Sequence, residues 1–132
     1  IKDDRLALRN LFSFLRPSGY LVITVPAHSH LFGKRDKLWG HYRRYDKHFL
    51  VKQLSTLKGE IVSLSYWNFV GYFAYFFYEK ILGKPVKETF RYSPSLSSRL
   101  FRGFLELILR FETLIGYVPW GLTLVAIVRK SK

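Results

Sequence analysis

The chain has 132 residues, enough for one small domain with a core of its own, and its 48% hydrophobic and 18% aromatic content is far above that of a disordered segment. It contains no cysteine, which excludes a disulfide framework, a thiolate zinc site and a cysteine nucleophile, and fits a reducing compartment. Twenty-two basic residues against nine acidic ones leave a formal charge of +13, which attracts polyanions such as nucleic acid, anionic lipid headgroups or phosphorylated substrates.

Methionine is absent as well and the chain begins at Ile1, so the expectation is a piece of a longer protein. The opening "IKDDRLALRN" places charges where a signal peptide needs an apolar core. Asp3 or Asp4 can cap a first helix with a stripe of Leu6, Leu8, Leu11, Phe12 and Leu15, which "RPSG" at 16–19 ends. Residues 20–27, "YLVITVPA", form a near-continuous run rich in β-branched residues, the pattern of a strand buried on both faces and closed by Pro26.

From 28 to 45 the chain is polar, aromatic and basic. Asp46 can then cap a second helix, "KHFLVKQLSTLK", which Gly59 stops, and a strand follows at about 60–66. The uncharged stretch 61–78 just reaches membrane-spanning length, but its serines, its asparagine and its four tyrosines favour a buried or interfacial aromatic segment. Phe69, Phe73, Phe76 and Phe77 suit one face of a helix over 68–82, broken by "GKP" at 83–85.

Residues 84–98 read as a basic, serine-bearing loop. Ser97 or Ser98 can cap a strong helix to about Ile115, with Leu100, Phe101, Phe104, Leu105, Ile108, Leu109, Phe111 and Ile115 on its apolar face. "GYVPWG" turns into a closing strand, "LTLVAIVRK". Helix, buried strand, helix, strand, helical insertion and strand together predict an α/β fold.

No phosphate-binding loop of the GxGxxG or GxxxxGK[ST] kind occurs. "HSH" at 28–30, with Asp36, His41 and His48 as further donors, has the residue types of a metal site, although the chain is too short for the barrel that such an arrangement usually needs. We therefore expect no metal. The alternatives are a polar loop, or His28 and His30 lining a cleft at the carboxyl end of the strand, where open α/β sheets bind ligands. "GHYRRYD" at 40–46 offers guanidinium groups that grip carboxylate or phosphate in a fork and a histidine that titrates near neutrality. The competing reading pairs Asp36 with Arg43 or Arg44 and makes the cluster structural. The aromatic run at 66–78 reads as core or a helix packed on the sheet, or else as a greasy lid or membrane-facing surface for a lipid-like substrate.

"LRPSGYLVITVPA" at 15–27, "GHYRRY" at 40–45 and "PWGLTLVAIVRK" at 119–130 together resemble the second half of class I S-adenosylmethionine-dependent methyltransferases, in a bacterial and archaeal branch with a GHxRRY-like segment after the fifth strand. The resemblance implies the C-terminal half of a Rossmann-like sheet. Residues 20–27 are similar to its fifth strand, 60–66 to its sixth and 122–129 to its seventh, which in the family is antiparallel and lies between the other two. Residues 1–132 would be a single partial domain, with 67–118 a helical, aromatic insertion.

The family's glycine-rich loop and ribose-binding acid have no counterpart here, so the resemblance implies a fragment that does not bind S-adenosylmethionine alone. It further implies a small or lipid-linked acceptor, His41 or His28 as the base, and His30, Arg43, Arg44 and Tyr45 on the substrate side. A cytoplasmic protein, peripheral contact with a membrane and self-association through the bare edge of strand 20–27 are also expected. Nucleic acid is not the expected partner on this reading. The rival expectation is a basic, aromatic-rich binding module for anionic membrane or nucleic acid that does no chemistry.

Overall fold

A computed structural model of the chain describes residues 1–84 and 94–132. Its elements in chain order are α1 (Asp4–Ser13), β1 (Tyr20–Pro26), a 3-10 turn (Ser29–Leu31), α2 (Lys34–Leu38), α3 (Lys47–Leu54), β2 (Gly59–Trp67), α4 (Phe69–Phe76) extended by a π-helical turn (Phe77–Ile81), α5 (Leu96–Ile115) and β3 (Thr123–Lys130). The loop expected over 84–98 lies mostly outside the described residues.

The fold is mixed α/β. The three strands lie in the order β1-β3-β2, and β3 runs antiparallel to both neighbours. Both ladders are therefore antiparallel, whereas a Rossmann-like sheet is built on parallel pairing, so these three strands alone do not establish the Rossmann-like half that the sequence suggested.

The core sits on one face of this sheet. Phe12 of α1 and Leu50 and Leu54 of α3 pack with Leu57 on Ile23 of β1 and on Leu124, Ala126 and Val128 of β3. Central position explains why alternate residues of β3 vanish from solvent. β1 departs from the expectation of a strand buried on both faces, since Tyr20, Val22 and Thr24 point outward and Val22 is 62% exposed. The reason is that β1 is an edge strand and no described helix covers its other face.

Side chains tie the layers together at several ends. Asp3 caps α1 by accepting from the Leu6 amide at 2.9 Å. Lys130 Nζ, at the end of β3, donates to the carbonyls of Phe12, Ser13 and Leu15 at and just beyond the C-terminus of α1. Ser95, rather than Ser97 or Ser98, caps α5 by accepting from the Ser98 amide. No helix among the described residues is long and apolar enough to cross a membrane.

Candidate functional site

β1 ends at Pro26, and the chain turns at His28 with φ of 63°, a value that non-glycine residues seldom adopt. Backbone bonds on both sides hold this turn, because Tyr45 N donates to Pro26 O at 2.8 Å and His28 N donates to Tyr45 O at 3.0 Å. The segment that carries "GHYRRYD" therefore folds back against the carboxyl end of β1, with an isolated parallel bridge between Ala27 and Tyr45.

His28 is 4% exposed. Its ring stacks on Tyr66 and Trp120 and meets the edge of Tyr72, and its Nε2 donates to Gly121 O at 3.0 Å. Burial lowers its pKa from the ordinary histidine value, an effect that the Gly121 carbonyl only partly offsets. His28 is thus a neutral pin between β1 and the 116–122 turn. Gly121 also lets the turn lie against the end of β2, since a Cβ there would collide with the Trp67 backbone. His30 is exposed, its ring 5.5 Å from that of His28.

Asp36 is 1% exposed and collects four donors. Its Oδ2 accepts from Arg44 Nε at 2.8 Å, Tyr75 OH at 2.8 Å and the Gly33 amide at 3.0 Å, and its Oδ1 accepts from His41 Nδ1 at 3.1 Å. Burial pushes the Asp36 pKa up, but the hydrogen bonds from Arg44, His41 and Tyr75 outweigh it and hold the carboxyl below its ordinary value. Burial and the bond to Asp36 raise the Tyr75 phenol to about 12. A Cβ at Gly33 would stand 2.6 Å from Glu79 Oε2, so a larger residue there would displace the end of the Glu79 side chain.

Arg44 belongs to this interior. Its Nη1 donates to Ala27 O at 3.1 Å and its guanidinium lies over the Tyr75 ring at 4.3 Å, leaving the side chain 5% exposed. No fork is left for an outside anion, so the substrate-side place expected for Arg44 gives way to the structural pairing with Asp36. His41 differs, with a side chain 39% exposed. An ionised carboxylate only accepts, so Nδ1 carries the proton and, in the neutral ring, Nε2 holds the lone pair. This is the arrangement that a general base requires.

Arg43 and Tyr45 point the other way, to Asp4. Tyr45 OH donates to Asp4 Oδ2 at 2.6 Å, Gln53 Nε2 donates to the same oxygen at 3.3 Å, and Arg43 Nη1 lies 3.4 Å from it while Nη2 donates to Lys2 O. Burial tends to raise the Asp4 pKa, but these partners lower it overall. The Tyr45 phenol is buried and its pKa is raised, so it is a scaffold hydroxyl. Arg43 keeps a side chain 40% exposed, beside an open cleft that Lys2, Arg5 and Phe49 also line.

The stretch 40–46 thus divides by partner, with His41 and Arg44 on Asp36, Arg43 and Tyr45 on Asp4, and Asp46 on Ser29. The Asp46 carboxylate accepts from the Ser29 amide at 3.0 Å and from its hydroxyl; Asp46 stands at the N-cap of α3 as expected, its carbonyl accepting from Leu50 N, but its side chain makes no capping bond to the helix. Among the described residues no three His, Asp or Glu side chains gather as a metal site. The sequence reading missed Tyr75 and Glu112, and gave Asp4 only a place as a candidate helix cap. Tyr75 hides in an aromatic run, and neither acid has a motif around it. Glu112 accepts from the Asn68 and Phe69 amides at 2.8 and 3.0 Å and so caps α4 from a distant helix.

Compared with models of known families, with curated proteins and with solved structures, the chain matches none of them.

Proposed function

We propose that the chain is the substrate-side part of a cytoplasmic S-adenosylmethionine-dependent methyltransferase whose acceptor is a small or lipid-linked hydroxyl compound. The observation that carries the reading is the His41–Asp36 pair, an imidazole aimed by a buried ionised carboxylate beside the carboxyl end of β1. The sheet lends support of narrower scope. β3 lies between β1 and β2 and opposes both, the place the resemblance implies for a seventh strand, although two antiparallel ladders do not in themselves make a Rossmann-like sheet. The outer edge of β1 has no strand partner among the described residues, which leaves room for the neighbour that a larger sheet would supply.

The residues present do not fit the methyl donor. β1 leads into the His28 turn and β2 into the Asn68 cap of α4, and neither passes through a glycine-rich loop into a helix. The donor would supply an electrophilic methyl group, held by residues outside this chain. Within the chain, His41 Nε2 accepts the proton of the acceptor hydroxyl and Asp36 stabilises the resulting imidazolium. Arg43 faces an anionic part of the acceptor. Arg44 and Tyr75 keep Asp36 ionised and still.

The test is transfer of a labelled methyl group by the parent protein to small-molecule and lipid fractions, with wild type and His41→Gln. Turnover should fall by about 100-fold or more, in the range of a lost general base, with donor affinity and melting temperature unchanged. Absence of transfer by the wild type overturns the reaction class, and an unimpaired His41→Gln variant overturns the base. A second reading, a basic module for anionic membrane without chemistry, is favoured by the outward-facing apolar side of α5.

A further inference from the structure

α5 is built inside out. Of its twenty residues only Ser98 and Glu112 are buried, and both are polar. They lie on one stripe with Arg102, Leu105 and Leu109, which are half-buried. The rest of the apolar side, Leu100, Phe104, Leu107, Phe111, Leu114 and Ile115, is exposed, Leu107 at 66% and Leu114 at 83%. These residues recur at helical spacing, so they form one continuous face. α4 extends it with Phe69 and Phe73, and an open apolar groove of about 610 Å³ runs between α5 and the 117–119 turn.

We infer that this α4–α5 face seats the protein on an anionic lipid surface, with α5 lying in the plane of the headgroups. An apolar patch of this extent on a folded chain marks an interaction site. Three observations favour lipid as the occupant. The first is charge. Arg99 and Arg110 are exposed on the polar side of α5, and Lys80 and Lys84 are exposed where the π-helical turn ends. Of the acids on these elements Glu112 is spent on the α4 amides and Glu79 has an oxygen closed off from solvent, which leaves Glu106 as the exposed acid of α5 against Arg99, Arg110, Lys80 and Lys84, so cations outnumber it beside the apolar face, within a chain of formal charge +13.

The second is composition. The exposed face is Phe and Leu, flanked by Tyr117 and Trp120, whose rings carry both an apolar body and a polar group and suit the headgroup level. The third is length and polarity. Twenty residues with an arginine-bearing polar side suit a helix that lies on a bilayer, and no described helix is long and apolar enough to cross one. The inference rests on neither the methyl donor nor His41, and it stands whichever reading of the function holds.

The test is co-sedimentation of the full chain with vesicles of phosphatidylcholine alone and of phosphatidylcholine containing phosphatidylglycerol, alongside light scattering without lipid. Wild type should partition onto the anionic vesicles and far less onto the neutral ones, with bound protein released by added salt. Phe104→Glu with Phe111→Glu should weaken partition by about ten-fold or more, because each buried methylene counts in lipid affinity. Leu107→Glu with Leu114→Glu serves as an independent pair should the first disturb folding, which circular dichroism reports.

Arg99→Glu and Arg110→Glu should each cost about five-fold on anionic vesicles and little on neutral ones. No vesicle binding by wild type, or binding that the folded α5 variants retain, overturns the inference. A dimer that the α5 variants dissolve, without lipid binding, also overturns it and assigns the face to a second copy of the chain.

Discussion

The two ends of the sheet order, β1 with its loop and β2 with its helices, solve the problem of burial in opposite ways. Around β1 polar groups go inward, with Asp36, Arg44 and His28 each buried and each hydrogen-bonded. Beyond β2 the apolar groups go outward, and α5 is held to the body by a glutamate. The first region is a rigid frame that aims one exposed imidazole. The second is a surface that awaits something apolar.

The largest expected effect lies at Asp36. Its removal leaves Arg44 buried without a counter-charge, together with the Tyr75 hydroxyl and the Gly33 amide, so Asp36→Ala should lose about 3–5 kcal/mol of stability in urea unfolding. A loss within the range of an exposed pair, about 0–1 kcal/mol, would mean that water reaches the cluster and that the frame is not closed.

The hydrophobic counterpart is nearly as large and contrasts the two regions directly. Leu124 is fully buried in the centre of the sheet, so Leu124→Ala should cost about 2–5 kcal/mol. Leu107→Ala on α5 should change stability by no more than about 0.5 kcal/mol, since the side chain is already in solvent. Equal losses at both positions would show that α5 is covered in solution.

Much of this frame was legible in the sequence and much of the site was not. Strands 20–27, 60–66 and 122–129 and the helix to Ile115 carry strong periodic signals, and each lies within a residue or two of its observed bounds. Burial was harder to read. "YLVITVPA" reads the same whether a strand is central or at an edge, because the difference lies in neighbours that local pattern does not contain. The 3-10 turn and α2 escaped notice because neither is long enough for periodicity to appear. Asp36 and Arg44 could be named as partners from chemistry alone. The third member, Tyr75, comes from 39 residues away, and nothing local to Tyr75 distinguishes it from the exposed aromatics beside it.

Acid should open the frame in two stages, with a smaller effect than either substitution. His28 has a folded pKa below the ordinary 6.5, so its contribution is present above about that pH and is lost as pH falls through the lower folded value. Asp36 also has a lowered folded pKa, so its contribution is present above about 3.9 and is lost as pH falls further. The melting temperature should decline first between neutral and mildly acid pH, then more steeply in strong acid. His28→Asn, whose side chain tolerates positive φ, should abolish the first decline and leave the second. A first decline that survives in this variant would place its origin elsewhere.

The smallest effect on stability is expected at β1, whose exposed apolar side chains pose a different question from those of α5. Val22 sits opposite Ile127 on the uncovered face of the sheet and is largely in solvent, so Val22→Lys should alter the unfolding free energy by about 0.5 kcal/mol or less. What it should change is association. A bare strand edge with apolar flanks templates pairing with another chain, and a lysine there blunts it. If β1 lacks a neighbouring strand, wild type should show concentration-dependent association by light scattering that Val22→Lys reduces and that the α5 glutamate variants leave alone. If the α5 variants instead abolish association and Val22→Lys does not, the uncovered face of β1 is inert in solution, and the support that its unpaired edge lends to a larger parent sheet falls away.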